Sequence, residues 1–215
     1  MAWLVQPIML VEEKFWWVKM FRCSILFFII FFSFGELGSD EIEKIKKYLN
    51  NISSLKSDFT QISGDGSITY GTIFMKKPDK FRIVFHKPQN EILVSDGKKI
   101  ALINKKINTI SMYSIDQIPF NFLLSEHISF KNYIISETTN KNNILSFKVS
   151  EKTQKGKKIK LIFEKKPLNL KKWEIEDPQG NLIQISLNNL STNITLENRK
   201  FLIVDPRKNP FSKRE

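Results

Sequence analysis

Cysteine and histidine are scarce in this chain of 215 residues. It contains one cysteine, Cys23, and two histidines, His86 and His127. A single cysteine cannot close an internal disulfide, and a cysteine-rich metal site is excluded as well. A zinc site built on the two histidines would need carboxylates to complete it, and we interpret both histidines as surface residues. The sequence therefore predicts neither a metal nor a cofactor.

The motifs of common catalytic sites are missing too. There is no G-x-S-x-G, no P-loop and no H-E-x-x-H. Ser53 and Lys56 have the spacing of a serine-lysine pair, but both residue types are so frequent here that chance explains it. Asp96 is better explained by a hairpin turn with Gly97 than as a catalytic acid. We predict a protein without catalytic residues. A lipid-modifying hydrolase stays open as an alternative, although neither histidine has an evident serine partner.

No apolar run is long enough to span a bilayer as a helix. The longest run covers residues 24–34, whereas a transmembrane helix needs roughly 20 apolar residues. Because Lys19 and Arg22 precede it, the run is typical of a signal peptide, and we expect export to the periplasm. Met20 is a candidate for the true start. No lipid-accepting cysteine follows the run, so we expect the protein itself not to be acylated.

The length allows one domain with a leader. We expect a signal peptide and leader over residues 1–39, one folded domain over 40–206 and a polar tail over 207–215. The net charge is +12, from 34 Lys and Arg against 22 Asp and Glu. Because the lysines are dispersed over turns and outer strand faces, we expect a solvated basic surface, transient membrane proximity and no nucleic-acid partner.

The clearest secondary-structure pattern of the sequence lies in residues 70–113. Apolar and polar residues alternate there over short segments, which end at turn signals over 77–79, 87–90, 96–97 and 104–106. This pattern predicts consecutive antiparallel strands joined by tight hairpins.

A helix is predicted before this meander and a shorter one after it. Asp40 and Glu43 have capping-box spacing, and the apolar residues that follow recur at helical intervals up to Leu49. This helix is expected to lie on a sheet. Residues 116–124 predict a short amphipathic helix that serves either as a lid or as a seal for one barrel end. Further strands are expected over 133–137, 144–149, 159–164, 170–176, 182–188 and 201–204, which gives about ten antiparallel strands in a large curled sheet or barrel.

Several segments resemble one known family in their order along the chain. Residues 54–61, 71–81, 88–98, 118–124 and 201–206 look like the periplasmic outer-membrane lipoprotein carrier family, LolA. The similarity covers about residues 40–206. It implies a mainly β fold with a few helices, in which helices cover the concave apolar face of an incomplete antiparallel β-barrel. It also implies a monomer that takes acylated lipoproteins from a LolCDE-type inner-membrane ABC transporter to a LolB-type outer-membrane acceptor.

Strand alternation and this resemblance together select the candidate site. We expect an apolar hollow that the protein's own side chains leave unfilled. The resemblance implies that an arginine before the motif proline holds a lid shut. Lys77 stands at that position, and Arg82 is the alternative latch. The candidates for the acyl-chain cavity and its lid are Ile73, Met75, Phe81, Ile83, Phe85, Ile92, Val94, Phe120, Leu123 and Leu124.

One non-enzymatic alternative remains open. A related half-barrel domain could bind a lipid or a peptide in order to signal, as a periplasmic regulatory or sensor domain. Such a domain normally accompanies a second domain, for which a chain of this length has no room.

Overall fold

The computed structural model describes residues 39–118, 120–152, 158–176 and 180–208. The predicted leader up to residue 38 lies outside these ranges, and so do Pro119 and the part of the predicted tail from residue 209 onward.

Helix α1 spans Ser39–Asn50. Asp40 and Glu41 lie in its first turn and Lys47 in its last, which complements the helix dipole. Ile45 and Leu49 are buried on its apolar side, so the predicted amphipathic helix is confirmed. Its expected cap is not, because Asp40 lies inside the helix and pairs with Lys44 one turn later.

Among the described residues, eleven antiparallel strands form one sheet. Their order across the sheet is β6-β5-β4-β3-β2-β1-β11-β10-β9-β8-β7, so the first and last strands pair at its centre. The sheet is open, with β6 and β7 at its two edges. The strands are β1 (Ser54–Ile62), β2 (Ile68–Lys76), β3 (Lys80–Phe85), β4 (Glu91–Asp96), β5 (Ile100–Asn104), β6 (Thr109–Tyr113), β7 (Tyr133–Lys141), β8 (Ile144–Glu151), β9 (Lys158–Lys165), β10 (Leu168–Glu176) and β11 (Leu182–Thr192).

This architecture confirms the predicted fold class, with one local correction near the C-terminus. The strand expected over 201–204 is wrong. Asn198–Phe201 form a 3-10 turn, and Leu202 donates its backbone N–H to the Arg199 carbonyl instead of to a neighbouring strand. Ile203 then packs on the sheet through its side chain.

The two faces of the sheet have different apolar clusters. On the covered face, Ile73, Phe81, Phe147 and Trp173 pack in one large cluster with the buried side of α1. On the outer face, a smaller cluster consists of Ile92, Val94, Ala101 and Ile103, with Ile203 against it. The covered face therefore extends over both halves of the sheet.

Residues 114–132, which we call the connector, join the two edge strands and cross the covered face. The helix predicted over 116–124 is wrong, because the structure has two 3-10 turns, Ile115–Gln117 and Asn121–Leu124. Ile118 between them is extended, with φ −87° and ψ 136°. It precedes Pro119, and a residue before proline is sterically disfavoured in the helical region. The connector is thus a folded loop.

Candidate functional site: the covered face and its connector

Most of the predicted site residues lie together on the covered face. The structure buries Ile73, Met75, Phe81 and Ile83 in one cluster with three connector side chains, Phe120, Leu123 and Leu124. Phe85 is partly buried at the margin of the cluster, where its ring meets Phe59 at 5.6 Å between centroids.

Ile92 and Val94 do not share this face, and their expected position is wrong. In an antiparallel pair, directly opposed residues project to the same side of the sheet. Ile83 opposes Leu93, whereas Val94 opposes Arg82. Leu93 therefore belongs to the covered face, and both predicted residues pack in the outer cluster.

Phe120 connects the two halves of the sheet across the covered face. Its ring centroid lies 5.8 Å from that of Phe81 on β3 and 6.0 Å from that of Trp173 on β10. Phe122 packs on Tyr133 at 5.2 Å between centroids. The connector therefore fills the centre of the covered face with aromatic side chains.

A small pocket remains beneath the connector, next to the C-terminal end of α1. Its free space is about 30 Å³, whereas ligand sites commonly enclose about 300–1,000 Å³. The hollow expected from the sequence is therefore not open here, because connector side chains fill it. The pocket is lined by Leu49, Ile52, Ser53, Ser54, Leu55, Met75, Lys77, Leu123, Leu124, Ile128, Leu170 and Trp173.

A larger groove of about 480 Å³ lies along the side of α1 that faces β8 to β10. Ile45, Tyr48, Leu145 and Leu168 contribute apolar surface to it, and lysines of α1 and β9 stand among its lining residues. Tyr48 fixes the helix there, because its hydroxyl donates to Asn169 Oδ1 at 3.1 Å and accepts from the Leu170 N–H at 3.2 Å. Burial raises the pKa of Tyr48.

Polar contacts hold α1 and the connector in place. Asn50 binds the connector twice, since its Nδ2 donates to the Ile128 carbonyl at 3.2 Å and its Oδ1 accepts from the Ile128 N–H at 2.7 Å. The backbone N–H of Asp79 donates to the Leu124 carbonyl at 3.0 Å. Sequence reasoning missed Asn50, because an asparagine at a helix end is equally compatible with a simple cap.

The two predicted latch residues lie on different sides of the sheet. Lys77 Nζ donates to the Leu49 carbonyl at 2.8 Å, so its hydrogen bond is made to α1. Burial lowers the pKa of Lys77. Arg82 opposes Val94 on the outer face and donates to the Lys200 carbonyl at 3.2 Å, so its expected position at the lid is wrong.

Trp173 is a second residue that the sequence analysis missed. Its side chain is 2% exposed, and its Nε1 is buried without a hydrogen-bond partner among the described residues. The sequence does distinguish Trp173, because the other three tryptophans of the chain all lie within its first 17 residues, in the predicted leader.

One histidine contacts a hydroxyl, but in the wrong arrangement for nucleophilic catalysis. His86 Nε2 lies 3.4 Å from Thr72 Oγ1, and the same hydroxyl donates to Asp58 at 3.2 Å. In a catalytic triad the carboxylate orients the histidine, whereas here it binds the hydroxyl directly. Thr72 also alternates with the covered-face residue Ile73 and therefore belongs to the outer face.

The described ranges contain neither a metal-ligand cluster nor a helix that could span a membrane. No three side chains among His, Cys, Asp and Glu come together there as a metal site would require. Over the same ranges, no helix has the length and apolar character of a membrane span.

Comparison with known proteins matches the chain to a family. The family model for the outer membrane lipoprotein carrier protein LolA matches residues 50–204. The outer-membrane lipoprotein carrier protein of Francisella tularensis subsp. novicida is 30% identical over 203 residues, which cover 88% of this chain and 94% of that protein. An uncharacterized protein of Rickettsia prowazekii is 25% identical over 151 residues, or 70% of each chain. The crystal structure of a LolA superfamily protein from Nitrosomonas europaea aligns with a TM-score of 0.43 and 8% identity, over 75% of this chain and 97% of that one.

Proposed function

The chain belongs to the LolA family of outer membrane lipoprotein carriers, and from this premise we propose that it shields lipoprotein acyl chains on their way between two membranes. It is a LolA-like carrier of lipoproteins, and its family consists of carriers rather than catalysts. The cargo enters from a LolCDE-type transporter of the inner membrane. A LolB-type acceptor at the outer membrane receives it, where the cell has one.

The observation that carries this proposal is an apolar face covered by a segment outside the sheet. The covered face extends over both halves of the sheet, and the connector buries Phe120, Phe122, Leu123 and Leu124 against it. Because these side chains belong to a loop rather than to a strand, they can leave without breaking the ladder of strands. Acyl chains then occupy the space that these side chains leave, and they also occupy the groove beside α1.

The energies favour this exchange. Exposing three acyl chains of about sixteen carbons to water would cost on the order of 30 kcal/mol or more, at about 0.8 kcal/mol per CH₂. With Ile128, the connector has five buried apolar side chains, which contribute about 1.5–3 kcal/mol each, or about 7.5–15 kcal/mol together. Acyl chains therefore displace the connector. The returning connector in turn lowers the net affinity for cargo, which a carrier needs for release.

The remaining assignments follow from the same proposal. Residues 1–39, or 20–39 if Met20 is the start, direct export to the periplasm and are removed there. The carrier domain over 40–206 then acts alone, with a short polar tail. The cavity and lid consist of Ile73, Met75, Phe81, Ile83, Phe85, Phe120, Leu123 and Leu124, to which Leu93 and Trp173 are added.

The test is capture of cargo from inner membranes. Purified protein is incubated with membranes that carry labelled lipoprotein and the transporter, and the soluble fraction is assayed for a one-to-one complex. Phe85→Glu places a charge at the margin of the covered face and should reduce capture. Phe74→Glu is the matched control, because Phe74 lies on the outer face with Lys200 Nζ 4.1 Å from its ring centroid. Equal capture by both variants would show that the covered face does not bind the cargo. Absence of any soluble complex would refute the carrier function.

A further inference from the structure

A buried hydrogen-bond donor, the indole N–H of Trp173, lies on the covered face. The indole Nε1 of Trp173 is shielded from solvent and finds no acceptor among the described residues. Such groups are rare in native structures, because burying an N–H without an acceptor costs free energy. An acceptor oxygen brought by a ligand would relieve that cost.

The position of this indole connects it with the proposed cargo site. Trp173 lines the small pocket together with Leu49, Met75, Leu124 and Lys77. Phe120 of the connector lies next to its ring, with 6.0 Å between the centroids. When Phe120 leaves the covered face, it uncovers the indole in the space where acyl chains would enter.

The other polar groups around the pocket already have partners. Lys77 Nζ donates to the Leu49 carbonyl at 2.8 Å, and Ser54 Oγ donates to the Ile194 carbonyl at 2.6 Å. A trapped water would need two to four polar partners, and this lining is otherwise almost entirely hydrocarbon. A ligand oxygen that is carried on an apolar chain suits the indole better.

Hydrocarbon tails cannot supply that oxygen, but the carbonyl at the head of each acyl chain can. Building on the carrier function proposed above, we infer that Trp173 Nε1 donates a hydrogen bond to the carbonyl oxygen of a bound acyl group. The covered face thus recognises acyl esters or acyl amides, and it discriminates them from alkyl chains of the same length. Trp173 is a specificity residue of the site.

The test compares three lipids with identical headgroups and chain lengths. Their chains are joined through esters, amides or ethers, and only the ether lipid lacks the carbonyl oxygen. Binding to the purified protein is measured by calorimetry for the wild type and for Trp173→Phe, which keeps an aromatic ring and removes the donor. We expect the wild type to bind at least one carbonyl lipid about five- to tenfold more tightly than the ether lipid. The variant should lose this preference while it still binds the ether lipid.

A second measurement does not depend on the variant's folding. In proton–nitrogen-15 spectra of the wild type, the indole N–H proton of Trp173 should move downfield when the ester or the amide lipid binds, because a hydrogen bond forms. The ether lipid displaces Phe120 without supplying an acceptor, so it should cause no downfield shift of this kind. The lipid that causes the downfield shift identifies the linkage. A wild type without preference, or a variant that keeps the preference, overturns the role of Trp173 and leaves the carrier function intact. Failure of all three lipids to bind overturns both.

Discussion

Asn50 is the residue whose removal should open the covered face most directly. Its side chain makes two hydrogen bonds with the backbone of Ile128 and so joins the end of α1 to the connector. Asn50→Ala breaks both bonds and leaves the N–H and the carbonyl of Ile128 without these partners. Ile128 is 2% exposed, so water does not readily replace the lost contacts. We therefore expect the connector to detach more often while the sheet stays folded.

The size of this effect follows from the two bonds. A neutral hydrogen bond contributes about 0.5–1.5 kcal/mol net, so the pair contributes about 1–3 kcal/mol. The opening equilibrium of the connector should then rise by about fivefold to about 150-fold. Native-state hydrogen exchange reports this quantity at the amides of Leu123 and Ile128. Uptake of a fluorescent acyl probe should become faster in parallel.

The controls separate the connector from general instability. Asn50→Asp keeps the acceptor for the Ile128 N–H but loses the donor. The opening equilibrium should therefore rise at least as much as the loss of one hydrogen bond predicts. Asn104→Ala removes side-chain bonds to the backbone N–H groups of Lys106 and Ile107 in the β5–β6 hairpin and to Glu91 on β4. Its exchange changes should stay in β4 to β6, away from the connector. Unchanged protection of the connector in Asn50→Ala would refute the idea that this clamp holds it.

Three further substitutions test other parts of the structure. Lys77→Met should change the free energy of unfolding by less than about 1 kcal/mol near neutral pH, because burial of the ammonium opposes its hydrogen bond. Burial lowers the pKa of Lys77 from about 10.5, so the folded chain binds fewer protons than the unfolded chain just below that pH. The free energy of unfolding of the wild type should therefore increase as the pH rises towards 10.5. Denaturant titrations of Lys77→Met over the same pH range should lack this increase. Gly71→Ala should lower the melting temperature by several degrees or prevent folding, because its Cβ would lie 2.3 Å from the Val84 carbonyl oxygen. Arg82→Ala should leave acyl-probe uptake unchanged, because Arg82 binds the Lys200 carbonyl on the outer face; slower or faster uptake would return it to the site.

The meander could be predicted because its turns use residues with a specific backbone requirement. Asp79, Asn90 and Asn108 adopt positive φ angles of 57°, 53° and 57°, and Gly97 adopts 97°. Asparagine, aspartate and glycine tolerate this region better than other residues, so their positions mark the hairpins in the sequence. Between such turns, alternating side chains leave little freedom in strand assignment.

The face of β4 could not be predicted by the same reasoning. Ile92, Leu93 and Val94 are consecutive apolar residues, so alternation gives no preference for either face. The register with β3 decides it, because Leu93 lies opposite Ile83. The outer face also has its own apolar cluster, formed with Ile203 from the C-terminal segment, and this contact joins residues far apart in the sequence. A periodic pattern along one strand does not contain that information.

Hydrophobic burial explains both why the connector fills the covered face in the free protein and why acyl chains would bind there. An apolar surface that spans both halves of an eleven-stranded sheet would exceed the few hundred Å² that soluble monomers normally expose. The free protein therefore needs a cover, and a cover within the chain is always available. For cargo to leave again, this cover must return to the sheet in competition with the acyl chains. The aromatic side chains of the connector meet both requirements, since their burial is large enough to protect the free protein and several-fold smaller than that of three acyl chains. A permanently open cavity would bind acyl chains more tightly, but it would release them more slowly and leave the free protein prone to aggregation.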